Sequence, residues 1–347
     1  MSFIHVIRSR SRCRLRRSAL ALGAAVAAIC SPVIAAAETN VRYVEVVRNL
    51  AYLPSYIALA KGYLEAEGLK VSLSTAWGGD KATAQILSGH ADITLVGPET
   101  AIYVQNSASP QKMIIFCSLT GTSTNFLVSR KPIRPEGFDW PSIKGQSVLG
   151  WRPGSTPELF MEWAMKKNGV DPVKDINNIT NIGVPARMGA WLSGKGDFAI
   201  FSEPEVTRLE TDGKAYVATF VGNHVGQVDY TLFMATDSYI KKNPQTVQAW
   251  TNAIHKAQLF TASADPKELA TLVKRYFPAV TEQQIVSAVK RYRTVKLWRT
   301  DPVVYDKPMQ QLQEILIAGG VQKPDQRVKY EQIVNTSFAE KAKAMVK

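Results

Sequence analysis

Strand-like and helix-like stretches alternate along this chain, stop at a proline-rich interruption, and then start again. Val41–Val47 is rich in β-branched residues and reads as a strand. Leu53, Ile57, Ala60 and Leu64 recur at helical spacing, and Gly68 closes that helix. Leu69–Ser74 reads as a second strand. Trp77-Gly78-Gly79-Asp80 is a turn into a helix that runs to Leu87, and Ile93–Val96 is a short buried strand. After Gly97-Pro98-Glu99-Thr100 another helix follows, then strands over Met113–Leu119 and Phe126–Ser129. Alternation of this kind builds βαβ units, and those build a largely parallel sheet.

The stretch Lys131 to Trp140-Pro141 is rich in proline and polar residues and reads as a boundary. The pattern resumes with a strand at Ser147–Trp151, a loop at Arg152–Thr156 and a helix at Pro157–Lys167. A strand at Asn178–Gly183, a helix at Ala186–Leu192 and a strand at Phe198–Phe201 complete it. Two phrases echo each other: Leu87-Ser88-Gly89-His90-Ala91-Asp92-Ile93 and Leu192-Ser193-Gly194-Lys195-Gly196-Asp197-Phe198. Each ends a helix with glycine and enters a strand after aspartate, so the two halves read as pseudo-repeats of one α/β unit. From Lys241 onward the chain is mostly helical. Asp265 with Glu268, and Thr281 with Gln284, have the spacing of capping boxes.

The net charge of +13 suggests a polyanion partner until its location is read. Six arginines, between Arg8 and Arg17, precede an apolar run from Ala19 to Ile29 and then Ala35-Ala36-Ala37. That is a secretory signal with cleavage near Ala37/Glu38, its apolar run too short for a bilayer span. Arg16-Arg17 leaves Sec and twin-arginine export open. Cys30 follows Ile29, a poor context for lipoprotein processing. Removing residues 1–37 takes away six arginines and no acid, and so lowers the charge from +13 to +7. Cys13 and Cys30 leave too. The remaining Cys117 lies in an apolar run and is expected as a packing residue, so no internal disulfide forms.

The chain beyond residue 37 has three histidines, His90, His224 and His255, none at metal-ligand spacing. It has no H-E-x-x-H, C-x-x-C, G-x-S-x-G or G-x-x-x-x-G-K-[ST], and no G-x-G-x-x-G after a strand. Neither a catalytic set, a metal nor a cofactor is expected, and a binding protein is.

In open α/β sheets, ligands bind outside the carboxyl ends of the strands. Glycine-rich turns that enter helices leave free N–H groups there and suit a carboxylate, sulfonate, nitrate or phosphate. The candidate ligand-binding residues are Asn49 and Tyr52 in the first such loop, and Trp77 and Gly78 in the second. Gly97, Glu99 and Thr100 form the third, and Gly154, Ser155 and Thr156 the fourth. Glu203 stands in a weaker fifth loop. Ser155 with Glu158 also has capping-box spacing, and Glu99 could simply complement its own helix. Arg48, His224 and Asp229 lie near enough in sequence to reach such a cleft.

The run Pro54-x-Tyr56-Ile57-Ala58-x-x-Lys61-Gly62-Tyr63-Leu64-x-x-x-Gly68-Leu69-x-Val71 resembles the start of exported solute-binding proteins of ABC importers. Gly89-x-Ala91-Asp92-Ile93 and Leu149-Gly150-x-x-x-Gly154-Ser155 continue the match. The nearest group is the nitrate/sulfonate/taurine type, which includes binders of thiamin-pyrimidine precursors. The resemblance implies an α/β, two-domain periplasmic-binding-protein (type II) fold, each domain a mostly parallel sheet flanked by helices, with the ligand cleft between. It implies residues 38–128 and 233–347 as one domain and 129–232 as the other, with crossing strands at Phe126–Arg130 and Asp229–Ala235. The implied function is capture of a small-molecule solute by hinge closure and delivery to the permease transmembrane subunits. The protein would be a monomer, with no nucleic acid and no membrane contact except through the permease. In sulfonate binders of this family the loop matching Gly154-Ser155-Thr156 helps hold the anionic group. Pyrimidine-precursor binders carry an acidic-aromatic motif after the first strand, where this chain has Arg48-Asn49-Leu50-Ala51-Tyr52.

A small anion is therefore the leading expectation. Alternatives are a planar heterocycle such as a pyrimidine precursor or riboflavin, a sensor domain, and a pyrimidine-synthase-like enzyme. The enzyme depends on a cysteine-rich segment that this chain lacks. A polyanion-binding surface rests on charge alone.

Overall fold

The computed structural model describes residues 38–346. The signal-segment expectations, with Cys13 and Cys30, lie outside them. The strands are β1 (Thr39–Glu45), β2 (Leu69–Thr75), β3 (Ile93–Val96), β4 (Met113–Thr120) and β5 (Phe126–Ser129). They continue as β6 (Ser147–Leu149), β7 (Asn177–Ile179), β8 (Phe198–Phe201), β9 (Tyr216–Phe220) and β10 (Thr231–Thr236).

These strands form two five-stranded sheets, ordered β2-β1-β3-β10-β4 and β7-β6-β8-β5-β9. In the first, β1 pairs in parallel with β2 and β3, while β10 is antiparallel to both β3 and β4. In the second, β6 pairs in parallel with β7 and β8, while β5 is antiparallel to both β8 and β9. Both sheets therefore have four strands in one direction and one reversed strand in the same place. Each reversed strand is where the chain crosses over: β5 follows the first half but joins the second sheet, and β10 returns to the first.

The echoed phrases take matching positions. Gly89 (φ +73°) and Gly194 (φ +95°) end their helices in the left-handed conformation, which glycine adopts without a Cβ penalty. Asp92 and Asp197 then lead into β3 and β8.

Several boundaries differ from expectation for local reasons. The helix expected through Leu64 is broken into Leu53–Ala60 and Tyr63–Ala66, because Gly62 takes φ +66° between them. β6 stops at Leu149 rather than Trp151: the Trp151 N–H donates to the Glu158 carboxylate at 2.6 Å instead of to a neighbouring strand. β7 stops at Ile179, and residues 180–183 turn away. β9 forms outside the strands expected from the sequence. Of the two expected C-terminal capping boxes only Thr281–Gln284 closes, while Asp265 caps through the Lys267 N–H and Glu268 lies near Lys61 instead.

The first core centres on Tyr43 of β1, Phe233 of β10 and Trp250 of helix Pro244–Ser263, with ring centroids 5.1–5.9 Å apart. Burying each such side chain contributes about 1.5–3 kcal/mol. This holds the C-terminal helices on the first sheet. Phe160 of helix Thr156–Lys167 is buried in the same apolar cluster as Val148 and Ile200 of the second sheet, with its ring centroid 5.5 Å from that of Tyr230. The C-terminal helices also reach the second sheet's side. Arg291 bonds Glu203 at 2.8 Å, and Lys166 bonds the Ala318 carbonyl at 2.8 Å. Cys117 is buried and free.

Candidate functional site

A cavity of about 500 Å³ lies at the carboxyl ends of both sheets. Residues that follow each of the six parallel strands β1, β2, β3, β6, β7 and β8 line it. The remaining wall, Thr124-Asn125 and Tyr230-Thr231, comes from the two crossings. Both βα-loop sets therefore open into one space.

On the first-sheet side, Asn49 caps the 3-10 turn Leu50–Tyr52 by accepting the Ala51 N–H at 2.8 Å. Its Nδ2 donates across the cavity to Ser202 Oγ at 2.6 Å. Tyr52 lines the wall and is buried. Trp77 lines the mouth, 46% exposed, with φ +58°. A left-handed tryptophan is strained by about 1–3 kcal/mol. Gly78 lines the cavity beside it and precedes helix Gly79–Leu87. From that helix Asp80 pairs with Arg152 of the opposite side at 2.5 Å.

Gly97 and Glu99 follow β3. A Cβ on Gly97 would collide with the Glu99 carboxylate and the Thr156 hydroxyl, so the contact between those two groups needs glycine here. Glu99 opens helix Glu99–Asn106 but does not serve it alone. Its carboxylate accepts the Thr156 N–H at 3.3 Å and the Thr156 Oγ1–H. Glu99 is 8% exposed and Thr156 2%. Burial pushes the Glu99 carboxyl above the ordinary carboxylate range, against the Thr156 bonds that favour its charged form. Thr100 is buried one residue further along and does not line the cavity; its N–H donates to the Gly97 carbonyl at 3.2 Å.

On the second-sheet side, Gly154 (φ +75°) does not line the cavity, but its carbonyl accepts the Tyr103 hydroxyl at 2.9 Å. Ser155 and Thr156 line it at the start of helix Thr156–Lys167. The Ser155–Glu158 spacing does not produce a capping box. Ser155 Oγ donates to the Arg152 carbonyl at 2.6 Å, and buried Glu158 takes the Trp151 N–H and Asn178 Nδ2. Beneath this floor lies Arg187, 3% exposed. It donates to the carbonyls of Leu149, Gly150 and Ile200, which ties the ends of β6 and β8 together, and Trp151 stacks on it at 4.7 Å. Burial lowers its pKa to about 10.

Glu203 stays outside the cavity. Its carboxylate takes Thr207 N–H, Thr207 Oγ1 and Arg291, while its backbone carbonyl takes the Leu50 N–H at 3.1 Å. Its neighbour Ser202 lines the wall instead and donates to Glu205 at 3.3 Å. Burial pushes Glu205 up to about 7, against the pull of Arg187. Arg48 turns away to Glu45 at 2.9 Å, above the rings of Tyr56 and Tyr276. His224 is held by Trp140 and Asn168, and Asp229 by Arg299; neither lines the cavity.

Sequence reasoning missed Trp151, Arg152, Asn125, Tyr230 and the whole stretch Thr180–Pro185. Gly183-Val184-Pro185 was the signal available for that last loop, since proline ends a ladder. Tyr52, Trp77, Trp151 and Tyr230 give the cavity four aromatic side chains, and Asp80, Lys81, Glu99 and Arg152 are its charged residues. Among the described residues no group of three His, Cys, Asp or Glu could hold a metal ion.

A family model described as NMT1/THI5 like matches residues 49–269. The chain is 36% identical over 303 residues to the Bacillus subtilis binding protein YtlA, spanning 87% of this chain and 90% of that one. It is 23% identical over 244 residues to the taurine-binding periplasmic protein of Escherichia coli, spanning 68% and 73% of the two chains. The crystal structure of the periplasmic nitrate-binding protein NrtA from Synechocystis PCC 6803 superposes with a TM-score of 0.73. It covers 89% of each chain at 14% identity, and so shares the fold.

Proposed function

The chain belongs to the NMT1/THI5-like family, and on that premise we propose that it is the extracytoplasmic solute receptor of an ABC importer. Its named relatives are binding proteins, not enzymes. In this reading it captures a small sulfonate-, taurine- or nitrate-like anion between two lobes and hands it to a permease as a monomer. The observation that carries the reading is the cavity at the carboxyl ends of both sheets, bridged by Asn49–Ser202, Asp80–Arg152 and Glu99–Thr156. Contacts of this kind close around a solute when two lobes hinge together. We take residues 38–128 with 233–347 as one lobe and 129–232 as the other, with β5 and β10 as the crossings. Asn49, Tyr52, Trp77, Gly78, Gly97, Glu99, Ser155 and Thr156 would line the solute site. Thr100, Gly154 and Glu203 would support the loops. No helix among the described residues is long and apolar enough to cross a membrane. We assign residues 1–37 to export, which puts the receptor outside the inner membrane.

The aromatic lining favours a second reading, a planar heterocycle stacked between Trp77, Trp151, Tyr52 and Tyr230. A thermal-shift panel on protein lacking residues 1–37 separates the two. It includes nitrate, taurine, alkyl and aryl sulfonates, aromatic carboxylates, riboflavin and pyrimidines. A bound solute at ~100 times its Kd adds about 2.7 kcal/mol of stability. A flat response to every small solute, with a shift for heparin or DNA, would sink the receptor reading.

A further inference from the structure

Helix Thr156–Lys167 points its first turn into the cavity, yet nothing on its own side caps it. Ser155 turns its hydroxyl to Arg152, Glu158 is spent on Trp151 and Asn178, and Pro157 has no N–H to offer. What meets the first turn is a carboxylate from the other sheet: Glu99 takes both donors of Thr156 in a desolvated contact. Gly97 leaves the room for this approach. A second buried anion cannot share those two donors, since like charges at hydrogen-bond range disfavour each other. Arg152 is already held by Asp80, which leaves Lys81 as the other cation that lines the cavity.

We propose that Glu99 is a specificity-determining residue that acts by competition: its carboxylate occupies the anion seat of the Thr156 helix, and an anionic solute reaches those donors only by displacing it. This rests on the small-anion reading above. The tethered carboxylate sets a threshold. A weakly accepting anion fails to displace it, while one that also satisfies other cavity donors succeeds. Removing the charge at position 99 should therefore tighten the binding of small anions, whereas an ordinary ligand contact would be lost with it.

Isothermal titration calorimetry with taurine, methanesulfonate and nitrate tests this on the protein lacking residues 1–37, in the wild type, Glu99→Gln, Thr156→Val and the double variant. Circular dichroism and calorimetric melting check each fold. Glu99→Gln should tighten at least one anion by about tenfold or more, the difference between a charge-assisted and a neutral hydrogen bond. Thr156→Val should weaken that anion, and the double variant should lose the gain. A wild type that binds none of the three while Glu99→Gln binds one supports the proposal most directly. A wild type that binds an anion, with Glu99→Gln weaker or unchanged, overturns the proposal and leaves the receptor reading standing. If no folded variant binds any of the three anions, the small-anion reading falls and the competitor role with it. Riboflavin and 4-amino-2-methylpyrimidine serve as donor-bearing probes. Their binding to wild type and loss in Glu99→Gln would make Glu99 a direct acceptor and overturn the proposal.

Discussion

Asp92 and Asp197 make the same contact in two different sheets. The Asp92 carboxylate accepts the Arg42 N–H at 2.8 Å, and its own N–H donates to the Arg42 carbonyl at 2.8 Å. Asp197 does this with Ser147, at 2.9 and 2.8 Å. Each aspartate thereby clamps the first parallel strand of its sheet, β1 or β6, to the third. The echoed phrases in the sequence are the visible part of this clamp.

Replacing Asp197 with alanine removes bonds to both the Ser147 N–H and its hydroxyl. We expect a loss of about 1–3 kcal/mol in urea denaturation, with the slope unchanged. The hydrogen bonds from Ser147 hold the Asp197 carboxyl below the usual carboxylate range. Its contribution is therefore present above the unfolded pKa and is lost as pH falls through the folded one. An Asp197→Ala protein whose acid unfolding midpoint matches the wild type would contradict the clamp.

Glu45 behaves in the opposite sense. It is buried at the end of β1 with Tyr56, Thr75 and Arg48 around it, and burial pushes its carboxyl up to about 7. A raised folded pKa favours the folded state fully below about 4.5, and this advantage is lost as pH rises through about 7. The full shift corresponds to roughly 3 kcal/mol at most. Calorimetric stability from pH 5 to 8 should fall less steeply in Glu45→Gln than in the wild type; parallel curves would count against this.

The affinity for an anionic solute should rise as pH falls, because protonation neutralises the Glu99 competitor, whose carboxyl burial has already raised. The titratable or charged groups coupled to it are Arg152 and the hydroxyls of Tyr52, Tyr103 and Tyr230, all three pushed above the ordinary tyrosine range by burial. None of the tyrosines changes charge between pH 5 and 8. Titrations toward lower pH should therefore show a gain in affinity in the wild type that is smaller in Glu99→Gln, where Glu205 behind Ser202 remains the other carboxyl that burial has raised. A slope that survives the substitution undiminished assigns the proton elsewhere.

Gly97→Ala places a methyl group against the Glu99 carboxylate and the Thr156 hydroxyl. These are side-chain ends, so the fold should lose no more than about 1–3 kcal/mol. The bridge between the two loops should break, and small-angle scattering should show a larger radius of gyration for the solute-free variant than for the wild type. Equal radii would mean that Glu99 does not hold the loops together.

Trp77→Asn removes a strained left-handed tryptophan, and asparagine tolerates that conformation. Relief of the strain should leave stability equal to the wild type or raise it by up to about 3 kcal/mol. Solute binding should weaken by about tenfold, the scale of a lost aromatic contact. If affinity is unchanged, Trp77 belongs to the rim and not to the site.

Loops that follow a clear strand were legible in the sequence, because a glycine turn before a helix is a local signal. Gly97-Pro98-Glu99 and Gly154-Ser155-Thr156 stand where that rule put them. Thr180–Pro185 was hidden because Ile179, Thr180 and Ile182 carry the strand signal past the end of the ladder, which depends on where the Gly150 N–H donates to the Ile179 carbonyl. The direction of Glu203 was not legible either: Arg291, eighty-eight positions away, draws its carboxylate out of the cavity. The same holds for Arg48, which the Glu45 carboxylate and two tyrosine rings turn away.

The sequence by itself determined the α/β class, the doubled unit, the glycine turns at strand ends and the lack of a recognisable catalytic motif. These follow from periodicity and backbone conformation, which act over a few residues. Only the tertiary structure decided that β5 and β10 run antiparallel to both of their neighbours, and that Glu99 reaches Thr156 rather than its own helix. Hydrogen bonds between distant segments depend on how two sheets pack, and a buried carboxylate takes whichever donors that packing brings within reach.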